Sequence, residues 1–165
     1  MSGKQTLELA YLAGLFDGEG SFGITKSTLK KITRKDGLPT IRHIANVQIQ
    51  MIDREPIEAF AAFFGGTVYR WSSGKNGGGK KITVYKFIVN SAGTRKIINA
   101  LIPHLRCPHK LRGAKLCLEL LDLVKRTNRR GKGYIDVPTM QKRDAVYAAS
   151  LANNSKRGEA MAACK

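Results

Sequence analysis

Residues 12–20 read Leu12-Ala13-Gly14-Leu15-Phe16-Asp17-Gly18-Glu19-Gly20, and they run against ordinary helix chemistry in two ways. Upstream, Leu7 to Asp17 has the apolar spacing of a helix, with Thr6 as its N-cap and Glu8 in its first turn. Ala10, Gly14 and Gly18 then fall on one stripe, although each interior glycine costs about 0.8–1 kcal/mol relative to alanine. So smooth a face lets another helix backbone approach closely. It equally suits a helix laid tightly on its own sheet. The second oddity is the charge. Asp17 and Glu19 sit where the carbonyls of the last turn already carry partial negative charge, which costs about 0.3–1 kcal/mol for each acid unless a cation offsets it. With only 12 acids against 29 Lys and Arg, two at one unfavourable place require a reason. Hydrogen bonds to turn amides are one, open above all to Asp17. A hard divalent cation held by carboxylate, carbonyl and water oxygens is another.

Beyond this stretch the periodicity changes. Ser21 to Lys31 alternates, with Phe22 and Ile24 opposing Ser21, Gly23, Thr25 and Ser27. Ile41 to Met51 alternates as well, with Ala45, Val47, Ile49 and Met51 opposing Asn46, Gln48 and Gln50. Asp53 opens a helix carrying Ile57, Phe60, Ala61 and Phe64, which Gly65-Gly66 stops. Thr67 to Trp71 and Ile82 to Asn90 predict two further strands, joined by a loop rich in glycine and lysine. Helices follow over Ile97 to Leu105 and Leu111 to Val124, and Thr139 caps a last one through Leu151. The predicted class is therefore α+β, with a four-stranded antiparallel sheet, helices on one face and the other face open. The basic composition of 127–138 reads as a linker between a core over 1–126 and a C-terminal helix with a frayed tail over 139–165.

Composition bounds the partners. The chain has 165 residues, a net charge of +17 and a pI near 10.2. Its 42% apolar content suits one folded domain, and no stretch is long and apolar enough to span a bilayer. The N-terminus has neither a secretory nor a transit-peptide layout. A compact, soluble, strongly basic domain points to nucleic acid as its polyanion. Cys107, Cys117 and Cys164 suggest a reducing compartment rather than a disulfide framework. His104, Cys107, His109 and Cys117 match no common zinc spacing, and Cys117 sits in an apolar helical pattern as a small hydrophobe.

The string from Leu12 to Gly20 resembles the signature of the LAGLIDADG homing endonucleases. The polar-faced strand after it and the αββαββα order resemble that family too, over Leu7 to about Val124, about three quarters of the chain. The signature occurs once, and single-copy members of that family act as homodimers with their signature helices packed about a twofold axis. The resemblance thus implies a dimer interface that includes Ala10, Ala13, Gly14 and Asp17. It implies that Glu19, standing where the family consensus has Asp, binds catalytic Mg²⁺ with help from the Gly18 carbonyl. Mn²⁺ would substitute, and Ca²⁺ would bind without supporting cleavage. Gln50 and Arg54 match the family's site-lining Gln and basic residue, and Lys110 matches a Lys ahead of the long helix. In those roles Gln orients water and Arg stabilises charge growing on phosphate.

The implied activity is metal-dependent hydrolysis of both strands of a long pseudo-palindromic DNA target, leaving 3′ overhangs, in intron homing. The open sheet face would then lie along the major groove. Alternation nominates Thr25 and Ser27, then Arg42, Asn46 and Gln48, then Arg70 and Ser72, then Lys86, with Arg70 suited to a bidentate guanine contact. Ile44 breaks the pattern on that face. Lys30, Arg34 and Lys81, in or beside the hairpin loops, would hold phosphates. The implied setting is intracellular, in an organelle or a prokaryotic cytoplasm. An RNA maturase acting on intron RNA, or a non-cleaving DNA-binding protein of the same fold, is the alternative. A small basic ribosome-associated or chromatin-like protein would explain the charge without the acidic helix end.

Overall fold

The computed structural model describes residues 3–33, 39–75, 81–90, 92–128 and 136–162. Its elements are α1 (Gly3–Glu19), β1 (Gly20–Thr33), β2 (Pro39–Met51), α2 (Arg54–Phe64), β3 (Val68–Lys75) and β4 (Lys81–Asn90). They continue as α3 (Ala92–Leu101), a 3₁₀ turn (Ile102–His104), α4 (Pro108–Asn128) and α5 (Val137–Ala162). The strands form one sheet in the order β1-β2-β4-β3, so the α+β class with four antiparallel strands holds. Packing divides the chain into two units, 1–21 with 47–107 and 22–46 with 108–165, and β2 contributes to each.

The first unit is organised around Phe60. Ile57, Phe60, Ala61 and Phe64 lie on the buried stripe of α2. The Phe60 ring meets Phe16 of α1 at 5.9 Å, Phe64 at 4.8 Å and Phe87 of β4 at 5.2 Å between centroids. Leu9, Leu12, Ala13, Val47, Ile49, Ile97, Ile98 and Leu101 complete this core. Each fully buried Phe or Leu contributes about 1.5–3 kcal/mol. Asp53 starts α2 from an extended backbone, and Gly65 ends it at φ 75°, a left-handed value that favours glycine. At Gly66 a Cβ would strike the Phe87 ring, so the chain can turn into β3 only where no side chain intervenes.

The β3/β4 register decides which residues share a face. Val68 pairs with Phe87, Tyr69 with Lys86, Arg70 with Tyr85, Trp71 with Val84 and Ser72 with Thr83. Directly opposed residues project to the same side. Arg70 and Ser72 therefore share the α2 side with Phe87, while Tyr69, Trp71 and Lys86 emerge opposite. The expectation that Arg70, Ser72 and Lys86 lie on one face is corrected by this register.

In the second unit Phe22 and Ile24 of β1, Ala45 of β2, and Ala114, Cys117, Leu120 and Val146 of the helices are buried. The Cys117 thiol contacts the Gly23 carbonyl at 3.5 Å, and burial pushes its pKa up to about 12, as befits a small hydrophobe. Helices α4 and α5 are joined by polar links. Asn153 accepts from Arg112 Nε at 3.2 Å and donates to the His109 carbonyl at 3.0 Å, and Arg143 donates to the Leu123 carbonyl at 3.2 Å.

Several bounds differ from expectation. Helix α3 begins at Ala92 and ends at Leu101, where Pro103 enforces a 3₁₀ turn. Helix α4 opens with Pro108, which suits a first helical position. Asp136, not Thr139, caps α5: its Oδ1 accepts from the Thr139 amide at 2.8 Å. That helix then runs on through Ala162.

Helix α5 also grips the first hairpin. Asp144 Oδ1 accepts from Lys26 Nζ at 2.6 Å and from His43 Nε2 at 2.9 Å, while His43 Nδ1 is buried without a hydrogen-bond partner. Desolvation lowers the His43 pKa below 6.5 despite its bond to Asp144, and the Lys26 hydrogen bond lowers that of Asp144 below 3.8. A folded-state pKa below the unfolded one means stability that is complete above the unfolded value and lost on acidification. Urea-unfolding midpoints should therefore be flat above pH 6.5 and fall as the pH drops below it. In His43→Gln that fall should disappear until the carboxylates titrate; an unchanged pH profile would remove His43 as its source.

Candidate active site and nucleic-acid interface

The two acids at the end of α1 have different fates. The Asp17 carboxylate accepts from the Arg106 amide at 2.7 Å and the Cys107 amide at 3.3 Å, tying the segment after the 3₁₀ turn to α1. It is thus engaged within its own protomer. Ala13 is fully buried in the same core, so the expectation that it faces a second copy is corrected, while Asp17 is half-buried. Ala10, Gly14 and Gly18 are exposed, and a Cβ on Gly14 or Gly18 would meet nothing within 4 Å. Beside them Leu7 and Tyr11 are 76% and 58% exposed. Among the described residues of one protomer, nothing requires glycine on this stripe.

Glu19 is exposed and, among the described residues, engaged in no hydrogen bond or ion pair. No basic residue lies in the last turn of α1. The described residues of one chain contain no cluster of three His, Cys, Asp or Glu suited to a metal. The donor set is therefore a single hard carboxylate beside helix-end carbonyls. That fits Mg²⁺, which keeps waters and takes substrate phosphate oxygens rather than filling an all-protein cage.

Gln50 is exposed near the end of β2, and Arg54 opens α2. Arg54 is gathered with residues the sequence did not nominate. Its Nε and Nη2 both reach Glu58 Oε1 at 2.6 Å, and its guanidinium lies 5.8 Å from the Tyr85 ring centre. Together with Arg70, Gly66, Thr67 and Val68 these residues line an open cleft of about 480 Å³. The i,i+4 spacing of Arg54 and Glu58 on a helix was the available signal. Lys110 stands in the first turn of α4 rather than ahead of it, and it is 3% exposed.

On the sheet, Thr25, Ser27 and Arg42 are exposed and Gln48 is half-buried. Thr25 Oγ1 donates to the Ile44 carbonyl at 3.4 Å. Asn46 is 5% exposed, because its amide fills the space that a side chain at Gly23 would occupy. It is thus a packing residue of the hairpin rather than an exposed one. Arg70 and Ser72 are exposed on the α2 side, and half-buried Lys86 stands opposite. Arg34 lies outside the described residues, as do the side chains of Lys30 and Lys81.

Comparison with known proteins gives one consistent answer. The sequence model of the LAGLIDADG endonuclease family matches residues 12–117. No curated protein matches the sequence. Among solved structures the fold is similar to the homing endonuclease I-CvuI, in complex with the uncleaved I-CreI target in the presence of magnesium (TM-score 0.66, 18% identity, covering 92% of this chain and 85% of that one). It is similar to the archaeal intron-encoded homing endonuclease I-Vdi141I, complexed with DNA (TM-score 0.68, 14% identity, 90% of this chain and 84% of that one). It also matches the DNA-bound meganuclease I-CpaMI (TM-score 0.61, 20% identity), covering 84% of this chain but 42% of that one.

The split between the two acids is measurable. Asp17→Ala leaves two amide donors without their acceptor and should destabilise by about 1–3 kcal/mol in urea unfolding. Glu19→Ala, at an exposed position, should stay within about 0.5 kcal/mol of wild type. Equal losses would mean that Glu19 also serves the fold.

Proposed function

The chain belongs to the LAGLIDADG endonuclease family, and from that premise we propose that it cuts double-stranded DNA at a specific site as a homodimer, with Glu19 of each protomer holding a divalent cation. The observation that carries this reading is the asymmetry between neighbouring acids. Asp17 is engaged by backbone amides, whereas Glu19 ends a small-residue helix exposed and unpaired among the described residues. Support comes from the net charge of +17 and from the DNA held by the similar I-CvuI and I-Vdi141I.

In this mechanism the Glu19 carboxylate and the Gly18 carbonyl would hold Mg²⁺, Mn²⁺ would be able to replace it, and Ca²⁺ would bind without turnover. When bound, the cation supplies a Lewis acid and lowers the pKa of a coordinated water. The remaining work falls to the chain. Gln50, free to rotate at an exposed strand end, orients a water by hydrogen bonding. Arg54 offers planar donors to the phosphate as negative charge grows there. Its place in the cleft shared with Arg70 on the α2 side requires the side chain to swing out, and an exposed i,i+4 ion pair contributes only about 0.3–0.5 kcal/mol, so a phosphate draws it from Glu58 readily. Lys110, which matches the Lys that the family places ahead of its long helix, would complete the catalytic set with its positive charge. Thr25, Ser27, Arg42 and Gln48 face the duplex, while the arginines and lysines of the hairpin loops neutralise phosphates. The target is long and nearly palindromic because two copies read it, and cutting leaves 3′ overhangs. Contact with intron RNA belongs to the same proposal as a secondary partner.

The test is cleavage of a plasmid library carrying randomised targets. Discrete linear products are expected with Mg²⁺ and none with Ca²⁺, and Glu19→Gln should reduce cutting to background while still binding duplex. Selective binding that never cuts would move the chain to a non-cleaving role. Gly14→Leu separates protomer from dimer. It should raise protomer stability by up to about 1 kcal/mol, since an exposed helical glycine is replaced, and yet abolish both dimerisation and cutting. Retained cutting would remove the stripe from the interface.

A further inference from the structure

The β3/β4 register leaves a surface that the catalytic reading does not use. On the side away from Phe87 and α2, the described side chains of this hairpin include Tyr69, Trp71, Ile82, Val84 and Lys86. Tyr69 and Trp71 are 53% and 58% exposed. Lys86 Nζ lies 5.6 Å from the Trp71 ring centre, a cation–π distance that holds the ammonium over the indole. Within the paired register, residues 68–73 against 82–87, the described side chains on this side include no Arg, Asn or Gln, the residues that grip guanine or adenine edges with paired hydrogen bonds, and Asn90 shares the side only beyond it, at the end of β4. They offer instead flat apolar area around one positive charge. Two aromatic side chains left so open on a sheet call for a partner that covers them. A chain at +17, with Lys86 inside the patch, selects a polyanion for that partner. In the major groove of a duplex the apolar feature is the thymine 5-methyl group.

We propose that Tyr69 and Trp71 are the sequence-reading contacts of this hairpin and recognise thymine 5-methyl groups, an inference that rests on the DNA-cutting reading above. Lys86, steadied by the indole, reaches a neighbouring base acceptor such as thymine O4 or guanine O6. Arg70, the residue that strand alternation nominated for guanine, projects to the other side and takes no part.

The experiment selects binders from a randomised duplex pool in Ca²⁺, then measures affinity for the winning duplex made with thymine and with deoxyuridine at each selected thymine. Each methyl group buried should be worth about fourfold in Kd, so losing two or three should weaken wild-type binding by tenfold or more. Tyr69→Ala/Trp71→Ala should bind more weakly and treat the two duplexes alike. Both positions are more than half exposed, so truncation leaves the core intact. Arg70→Ala should keep the full discrimination. Equal wild-type affinity for both duplexes, or discrimination that survives the double variant, overturns the proposal. So does a Trp71→Ala protein that still discriminates but changes its mass in solution, which would assign the patch to a contact between copies. Mg²⁺ cleavage of the thymine duplex reports on the enzyme separately. A duplex that is cut but bound equally without its methyl groups sinks this inference alone, whereas failure to bind or cut any duplex sinks the nuclease reading with it.

Discussion

The stacking of Phe16 on Phe60 fixes the rotation of α1, and much of the site follows from that rotation. With Leu9, Leu12, Ala13 and Phe16 turned into the core, the helical period leaves Ala10, Gly14 and Gly18 on the outside. The same rotation brings Asp17 to the Arg106 and Cys107 amides and leaves Glu19 at the helix end, exposed. One apolar contact thus assigns a structural role to one acid and frees its neighbour. The glycines on the outer stripe cost helix stability that no contact among the described residues repays, and it is the proposed partner helix that gives them a purpose.

Much of the fold was legible because its signals are local. The alternation through Ala45, Val47 and Ile49 marks a strand buried on one side, and all three are buried. Gly65-Gly66 marks the end of α2 because only that geometry admits the turn. Asp17 does bind backbone amides, but they are those of Arg106 and Cys107, 89 and 90 residues further on, which no local signal names. What stayed hidden depends on contacts between distant residues. The run Val68-Tyr69-Arg70-Trp71 has no apolar alternation of its own, so its facing is set by the pairing of Val68 with Phe87. Strand alternation alone puts Arg70 and Ser72 on one face with Lys86, which this register separates. Asn46 was read as exposed because a polar residue on an open face usually is; the space above Gly23 that receives it belongs to another strand.

The C-terminal helix shows the same limit. No local pattern joins His43 to Asp144, which lie 101 residues apart, yet that contact and the Lys26 ion pair bind α5 to the first hairpin. Its start was misplaced by three residues because Thr139 and Asp136 are both credible caps, and the amide geometry favours Asp136. Helix α5 therefore acts as a brace on the first hairpin. Arg54 is similar in part: its pairing with Glu58 is a local i,i+4 signal, but the Tyr85 ring beside it comes from the folded hairpin.

The central claim is that each of two copies supplies one Glu19 to one strand. The most direct measurement mixes wild type with Glu19→Gln by co-expression and follows supercoiled plasmid carrying the selected site. If the account is right, mixed dimers cut one strand only, so nicked circles accumulate as the variant fraction rises while linear product declines. Linear product that falls with no nicked intermediate, or cutting carried by a monomeric species, would contradict it.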